Sequence, residues 1–218
     1  MSTKKNNINT LNKYFMNLAF LQAKRCLGNT SNNPSVGCII TNKNNEIISS
    51  GKTSISGHPH AEINAITKTK KNLNGLNIYI TLEPCTHFGE TSPCTNKIIS
   101  SGIKNVYYAV DDIDKRTAKR AKKILNKKKI FVNKGLLSKE INNFYKYYYK
   151  NKIKKIPYIV SKLAVSKDGF IKNIKSKNIT NVYSQKVSNL LRSKYDAIMI
   201  SSKTLIHDNP LLTCRING

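Results

Sequence analysis

The sequence predicts an α/β sandwich built on a largely parallel or mixed sheet, and three observations carry that prediction. Short apolar runs of strand length alternate with amphipathic runs of helix length from about residue 14 to about residue 150. Turn and stop residues fall between them, at Gly28, Asn44-Asn45, Gly75 and Gly102. No apolar run approaches the roughly 18 residues a membrane span requires, so the apolar side chains belong to an interior.

Residues 1–12 are polar and Asn-rich and read as a disordered terminus. Tyr14 to Leu27 carries Phe15, Leu18, Ala19, Leu21 and Cys26 at helical spacing, and Gly28 stops it. Val36 to Thr41 reads as a buried strand, joined through the Asn44-Asn45 turn to a second strand, Glu46 to Ser50. His60 to Lys70 reads as a helix with Ile63 and Ile66 on one side, and Asn77 to Leu82 as a strand. Pro93 opens a short helix reaching Ser101, capped by Gly102. Asn105 to Val110 is a strand, Thr117 to Asn126 a basic helix, and Ile130 to Val132 a short strand. Ser138 to Lys150 is a helix with Ile141, Phe144, Tyr145 and Tyr148 facing inward. These elements define a domain over 13–150, with the basic stretch NKIKKIP (151–157) as a linker. A new unit over 158–218 reads as a strand Tyr158 to Val165, a turn at Asp168-Gly169, a helix around Gln185 to Ser193 and a strand Ala197 to Ser201. About 60 residues is marginal for a core of its own, so this unit reads as an incomplete domain.

The first ten residues, MSTKKNNINT, lack the apolar stretch of a signal peptide, and a cytoplasmic protein with no membrane partner is expected. The net charge of +27 invites a nucleic-acid reading, but 33 of the 38 basic residues are Lys and only five are Arg. Arg is the better reader of phosphates and bases. Lys, Asn and Ile together are what an AT-rich coding sequence drifts toward, so drift is favoured over selection for nucleic acid. The five cysteines show no disulfide pattern, and spaced Cys beside His reads first as metal binding.

Chemistry concentrates in HPHAEINAI (58–66) and LEPCTHFGETSPC (82–94). His60, Cys85 and Cys94 lie at or just before the starts of two helices, where backbone N–H groups favour thiolates. Zinc accepts one imidazole and two thiolates and keeps a fourth position for water, whose pKa it lowers from near 16 to roughly 7. Glu62, two residues beyond His60, can lean over that position without ligating and move protons. A His-x-Glu … Pro-Cys order is the signature of zinc nucleobase deaminases. A purely structural zinc site would need a fourth protein ligand, which His58 or His87 could supply. HAE and EPC arriving together and in order, each at a strand–helix junction, favour the catalytic reading.

At these residues the chain resembles the bifunctional deaminase/reductase family of riboflavin biosynthesis, the RibD family, from about Tyr14 to Arg215. Cytidine and tRNA-adenosine deaminases usually carry a close Pro-Cys-x-x-Cys pair, whereas eight residues separate Cys85 from Cys94 here, and the insert THFGETSP resembles that family's own. Asn33-Pro34-Ser35-Val36-Gly37 resembles its substrate loop, and 162–169 (KLAVSKDG) the opening of its reductase domain. The resemblance implies a cytidine-deaminase-like three-layer α/β/α sandwich with a mixed sheet, followed by a partial, dihydrofolate-reductase-like segment. It implies hydrolytic deamination of diaminohydroxyphosphoribosylaminopyrimidine, a small pyrimidine nucleotide, with release of ammonia. Asn33 and His87 match substrate-binding positions of the first domain. Ser176, Arg192, Leu212 and Arg215 match substrate positions of the second, and Ala164, Thr204 and Asp208 its NADP positions, a cofactor expected only if the reductase domain is complete.

Departures from the family pattern are Glu90 for a usual Lys or Arg, Thr53 for a His, and Asn178 for a Trp. The usual Asp-Pro-Asn-Pro and following glycines appear as Asp112-Ile113-Asp114-Lys115, Lys119 and Ala121. The rival readings are a tRNA-adenosine or nucleoside deaminase, which the charge favours and the cysteine spacing opposes, and a non-catalytic zinc-stabilised RNA-binding protein, which Glu62 opposes. Subunit association is common in such folds, and a homo-oligomer is carried as an expectation.

Overall fold

The computed structural model describes residues 2–89, 91–171 and 179–215, with the side chains of 2–7 outside the description. It divides into two compact units, Met1–Tyr158 and Ile159–Gly218.

The first unit is a five-stranded mixed sheet between two layers of helices. Its strands β1 (Gly37–Thr41), β2 (Ile47–Lys52), β3 (Asn77–Leu82), β4 (Asn105–Val110) and β5 (Phe131–Lys134) are ordered β2-β1-β3-β4-β5. β1 runs antiparallel to both β2 and β3, while β3–β4 and β4–β5 are parallel. The helices are α1 (Ser2–Lys24), α2 (Ala61–Lys68), α3 (Cys94–Ser100), α4 (Ala121–Lys127) and α5 (Ser138–Lys154).

Two glycines show which helix covers which face. A Cβ on Gly37 would lie 1.9 Å from the Ala19 carbonyl oxygen of α1. One on Gly51, which pairs with Cys38 and so shares its face, would lie 2.2 Å from the Ala61 oxygen of α2. Neighbouring residues of β1 therefore point to opposite helical layers. α5 joins α1 on its face, where Phe20 and Phe144 meet edge to face at 5.2 Å. Ile78, Ile80, Val106, Tyr79 and Tyr108 fill the two interlayer spaces, each 1% exposed or less.

The observed elements extend or shorten several expected ones. α1 begins at Ser2, where the sequence reads a loose terminus: Leu11 packs on the core and the Tyr79 hydroxyl donates to Asn12 Oδ1 at 2.7 Å, after which each added residue extends the helix by one hydrogen bond. Its buried stripe is Phe15, Met16, Ala19, Phe20 and Ala23, and Leu21 is exposed. α4 starts at Ala121, not Thr117, because Lys119 adopts a left-handed φ of 61° that breaks the helical run. α5 runs through the expected linker to Lys154.

The second unit contains α6 (Val182–Arg192) and α7 (Ser202–Asp208), each capped by a side chain: Asn181 accepts from the Ser184 N–H and Ser201 from the Thr204 N–H. The turn at Asp168-Gly169 is present, with Gly169 at φ 87° and the Phe170 N–H donating to Ser166 Oγ. The strands expected at 158–165 and 197–201 do not form. A strand needs a neighbour for its N–H and C=O groups, and none pairs with these segments among the described residues. Ser201 instead starts α7. None of the described residues of this unit is buried.

Candidate metal centre and active site

Three side chains separated by up to 34 positions converge where β3 ends and α2 and α3 begin. His60 is the residue before α2, with extended backbone (φ −67°, ψ 162°), and its carbonyl accepts from the Asn64 N–H, opening the helix. Cys94 is the first residue of α3, after Pro93, and Cys85 sits in the turn that leaves β3. His60 Nδ1 lies 3.3 Å from Cys94 Sγ and 3.7 Å from Cys85 Sγ, and all three ligand atoms lie within 4.8 Å of one another. Zinc bonds of about 2.3 Å to sulfur and 2.0 Å to nitrogen place tetrahedral ligand atoms about 3.6 Å apart, so the triangle already has the span zinc requires. Among the described residues no other His, Cys, Asp or Glu joins the group; His58 and His87 stand outside it. Three protein ligands with an open fourth position is the catalytic pattern, not the structural one.

The surroundings favour thiolate. The Cys94 N–H donates to Cys85 Sγ at 3.1 Å. The Cys94 thiol, then the His60 imidazole, hold Cys85 well below the usual thiol range, while the resulting thiolate and burial push Cys94 up. Cys85 is therefore the first of the pair to lose its proton. The Cys85 thiolate, accepting from the ring, also raises His60, against its own burial.

Glu62 lies in the first turn of α2, 4% exposed and outside the ligand set. Burial, opposed by the nearby His60 and reinforced by Cys85, leaves its carboxyl pushed up to about 7. A buried carboxyl balanced near neutrality beside a metal triangle can accept and return a proton.

The expected substrate loop is fixed by residues that no local motif announced. Thr30 Oγ1 donates to the Asn33 carbonyl at 2.8 Å. Thr53, buried, accepts from the Val36 N–H at 2.9 Å and donates to the Pro34 carbonyl at 3.1 Å. It thus ties the loop to the segment leading into His60, a structural use for this departure. The Gly37 N–H donates to Thr81 Oγ1, which meets the Tyr145 hydroxyl at 2.7 Å, and Tyr145 donates to the Ser35 carbonyl. Gly57 (φ 97°) lacks a side chain where a Cβ would stand 2.1 Å from Asn33 Nδ2. Asn33 is thereby held against the chain that carries His60. His87, half-buried two residues beyond Cys85, faces Thr117 Oγ1 at 3.0 Å. Glu83, 3% exposed, collects three backbone N–H groups from the segment after β4. Periodicity shows Thr53, Thr81, Glu83, Thr117 and Tyr145 only as loop, strand or helix residues; their partners are 17 to 110 positions away.

In the second unit Arg192 and Arg215 line one cleft of about 530 Å³, with Lys162, Gln185, Lys186 and Asn189. Arg192 Nη1 donates to the Thr213 carbonyl and Asn189 Oδ1, both at 3.1 Å. Leu212, Ala164, Thr204 and Asp208 lie outside that lining. Thr204 and Asp208 sit one turn apart on α7. Ser176, Glu90 and Asn178 lie outside the described residues.

Residues 9–110 match the family described as the cytidine and deoxycytidylate deaminase zinc-binding region, and residues 157–218 match the RibD C-terminal domain. The chain is 42% identical over 204 residues to the riboflavin biosynthesis protein RibD of Buchnera aphidicola, covering 93% of this chain and 55% of that one. It is 35% identical to RibD of Escherichia coli, covering 93% and 56%. The crystal structure of a diaminohydroxyphosphoribosylaminopyrimidine deaminase/5-amino-6-(5-phosphoribosylamino)uracil reductase from Thermotoga maritima superposes with a TM-score of 0.87 at 35% identity, over 95% of this chain and 60% of that one. The chain thus spans little more than half the length of the curated relatives it matches. Among the described residues no helix is long and apolar enough to cross a membrane.

Proposed function

Since this chain belongs to the RibD family of riboflavin biosynthesis proteins, we propose that residues 13–150 form a deaminase domain acting on diaminohydroxyphosphoribosylaminopyrimidine. The observation that carries this reading is the His60–Cys85–Cys94 triangle with buried Glu62 beside it and, among the described residues, no fourth protein ligand. Zinc bound there supplies Lewis acidity that makes a water molecule acidic near neutral pH. His60 and the two thiolates would hold the metal, and the Cys94 side chain, then His60, favour the ionised form of Cys85. Glu62 carries the water's two protons in turn, the first to the ring nitrogen as the oxygen adds to the amino carbon and the second to the amine as its C–N bond breaks, so that an amino carbon and water become a carbonyl and ammonia. Asn33, anchored through Thr30, Thr53 and Gly57, and His87, against Thr117, orient the pyrimidine and its ribosyl phosphate.

Residues 158–218 belong to a reductase-like segment joined through 151–157. In this unit the Arg192–Arg215 cleft and the residues matched to NADP, Ala164, Thr204 and Asp208, do not line one common site. NADP is carried only with a completed reductase domain, and no reduction step is derived from this segment. The test is ammonia release by the purified, zinc-loaded protein from the pyrimidinone phosphate, cytidine and tRNA, with NADPH absorbance followed in parallel. Ammonia from the pyrimidinone phosphate alone, with no steady NADPH oxidation, is expected. Release from tRNA or cytidine instead would reassign the substrate, and release from none of the three would refute the deaminase.

A further inference from the structure

Glu83 lies between β3 and the Cys85 turn, yet its carboxylate serves another part of the chain. Oε2 accepts from the Asp112 N–H at 3.2 Å and the Lys119 N–H at 2.9 Å, and Oε1 from the Ala121 N–H at 2.9 Å. Three donors converging on one buried carboxylate staple residues 112–121 to the end of β3. That segment would otherwise carry unpaired N–H groups, since Lys119 has a left-handed φ of 61° and cannot continue a helix. Within it Thr117, fully buried, faces the chain just past Cys85. The Thr86 N–H donates to Thr117 Oγ1 at 3.4 Å, Thr86 Oγ1 donates to the Arg116 carbonyl at 3.0 Å, and His87 Nδ1 lies 3.0 Å from Thr117 Oγ1. With its oxygen accepting from Thr86, the Thr117 hydroxyl has its hydrogen available for His87 Nδ1. In the neutral imidazole that leaves the ring proton on Nε2, which then points a donor away from Thr117.

We propose that Glu83 is a positioning residue of this site: by stapling 112–121 it sets Thr117, and through Thr117 the orientation and tautomer of His87 as an Nε2–H donor. The proposal rests on the deaminase reading for what His87 donates to, an oxygen of the pyrimidine or its phosphate, but the tautomer is measurable without turnover. Glu83 touches neither the metal triangle nor the reacting atoms, so its loss should act on substrate binding and not on metal content.

The test uses Glu83→Gln, which keeps the shape but turns one accepting oxygen into a donor facing N–H groups, and Thr117→Val, which removes only the hydroxyl and keeps the protein folded should Glu83→Gln fail to fold. Histidine ¹⁵N spectra of the zinc-loaded chain should show neutral wild-type His87 as the Nε2–H tautomer and either variant as a mixture. Zinc should stay near one per chain, KM should rise about tenfold, and kcat should change by less than about threefold. A wild-type His87 protonated on Nδ1 would overturn the proposal. So would variants with unaltered His87 signals, or a loss confined to kcat. A wild-type protein that shows the Nε2–H tautomer but releases no ammonia would strike the deaminase reading and leave the Glu83–Thr117–His87 relay standing.

Discussion

Ile78 in β3 and Leu190 in α6 are apolar side chains of equal volume in regular elements, yet Ile78 is 0% exposed and Leu190 47%. The same contrast separates the two units. The first surrounds its sheet with helices on both faces, and the side chains of its candidate site inherit fixed positions from that core. The second displays Val182, Val187, Leu190, Leu191, Leu205 and Ile206, and its Arg192–Arg215 cleft is built on α6, which has no buried residue, and on chain outside the helices. A motif matched in sequence becomes a site only where packing holds its residues together. His60, Cys85 and Cys94 meet that condition, whereas Ala164, Thr204 and Asp208 lie outside the lining of the Arg192–Arg215 cleft.

The sharpest way to break this contrast is at the metal. Glu62→Gln should keep zinc and the fold of the first unit but lose about 10²- to 10⁴-fold in turnover. Cys85→Ser should lose the zinc, measured by elemental analysis, and lower the melting temperature of the first unit without altering hydrogen exchange in α6. Full zinc in the Cys85→Ser protein would remove that residue from the ligand set. Next in size, Ile78→Ala should cost about 2–5 kcal/mol in denaturant unfolding, while Leu190→Ala should stay within about 0.5 kcal/mol. A Leu190 variant as damaging as the Ile78 one would mean that α6 is covered in solution and the contrast is false. The smallest effect concerns Lys119, whose left-handed backbone costs a side-chain-bearing residue about 1–2 kcal/mol. Lys119→Gly relieves that strain but frees the unfolded chain, so a net gain of about 0.5–1 kcal/mol is expected. A loss of stability would mean the lysine side chain contributes more than its backbone conformation costs.

What the sequence revealed follows the range of the interactions involved. β3 and β4 were legible to the residue, Asn77–Leu82 and Asn105–Val110, because buried parallel strands are short apolar runs bounded by turns. The metal triangle and Glu62 were legible because each half of the site is a local motif at a helix start. Thr53, Glu83, Thr117 and Tyr145 were not, since each matters through backbone groups that only the folded chain brings near. The strands expected at 158–165 and 197–201 failed for the same reason in reverse: alternation and β-branching propose a strand, but only a neighbour makes one.

Gly37 and Gly51 bear on which positions of this Lys-, Asn- and Ile-rich chain could follow a drift toward A and T. Glycine codons begin with two guanines, so a coding sequence sliding toward A and T erodes them and leaves lysine, asparagine and isoleucine, the residues this chain has in excess. At Lys119 a side chain is accommodated on left-handed backbone as mild strain, since it is exposed. At Gly37 and Gly51 it cannot be absorbed, because a Cβ would lie within 2.2 Å of a helix carbonyl on each face of the β1–β2 hairpin. These two positions act as fixed points against mutational pressure: any other residue there would drive α1 or α2 off the sheet, and α2 carries the first turn on which His60 and Glu62 stand.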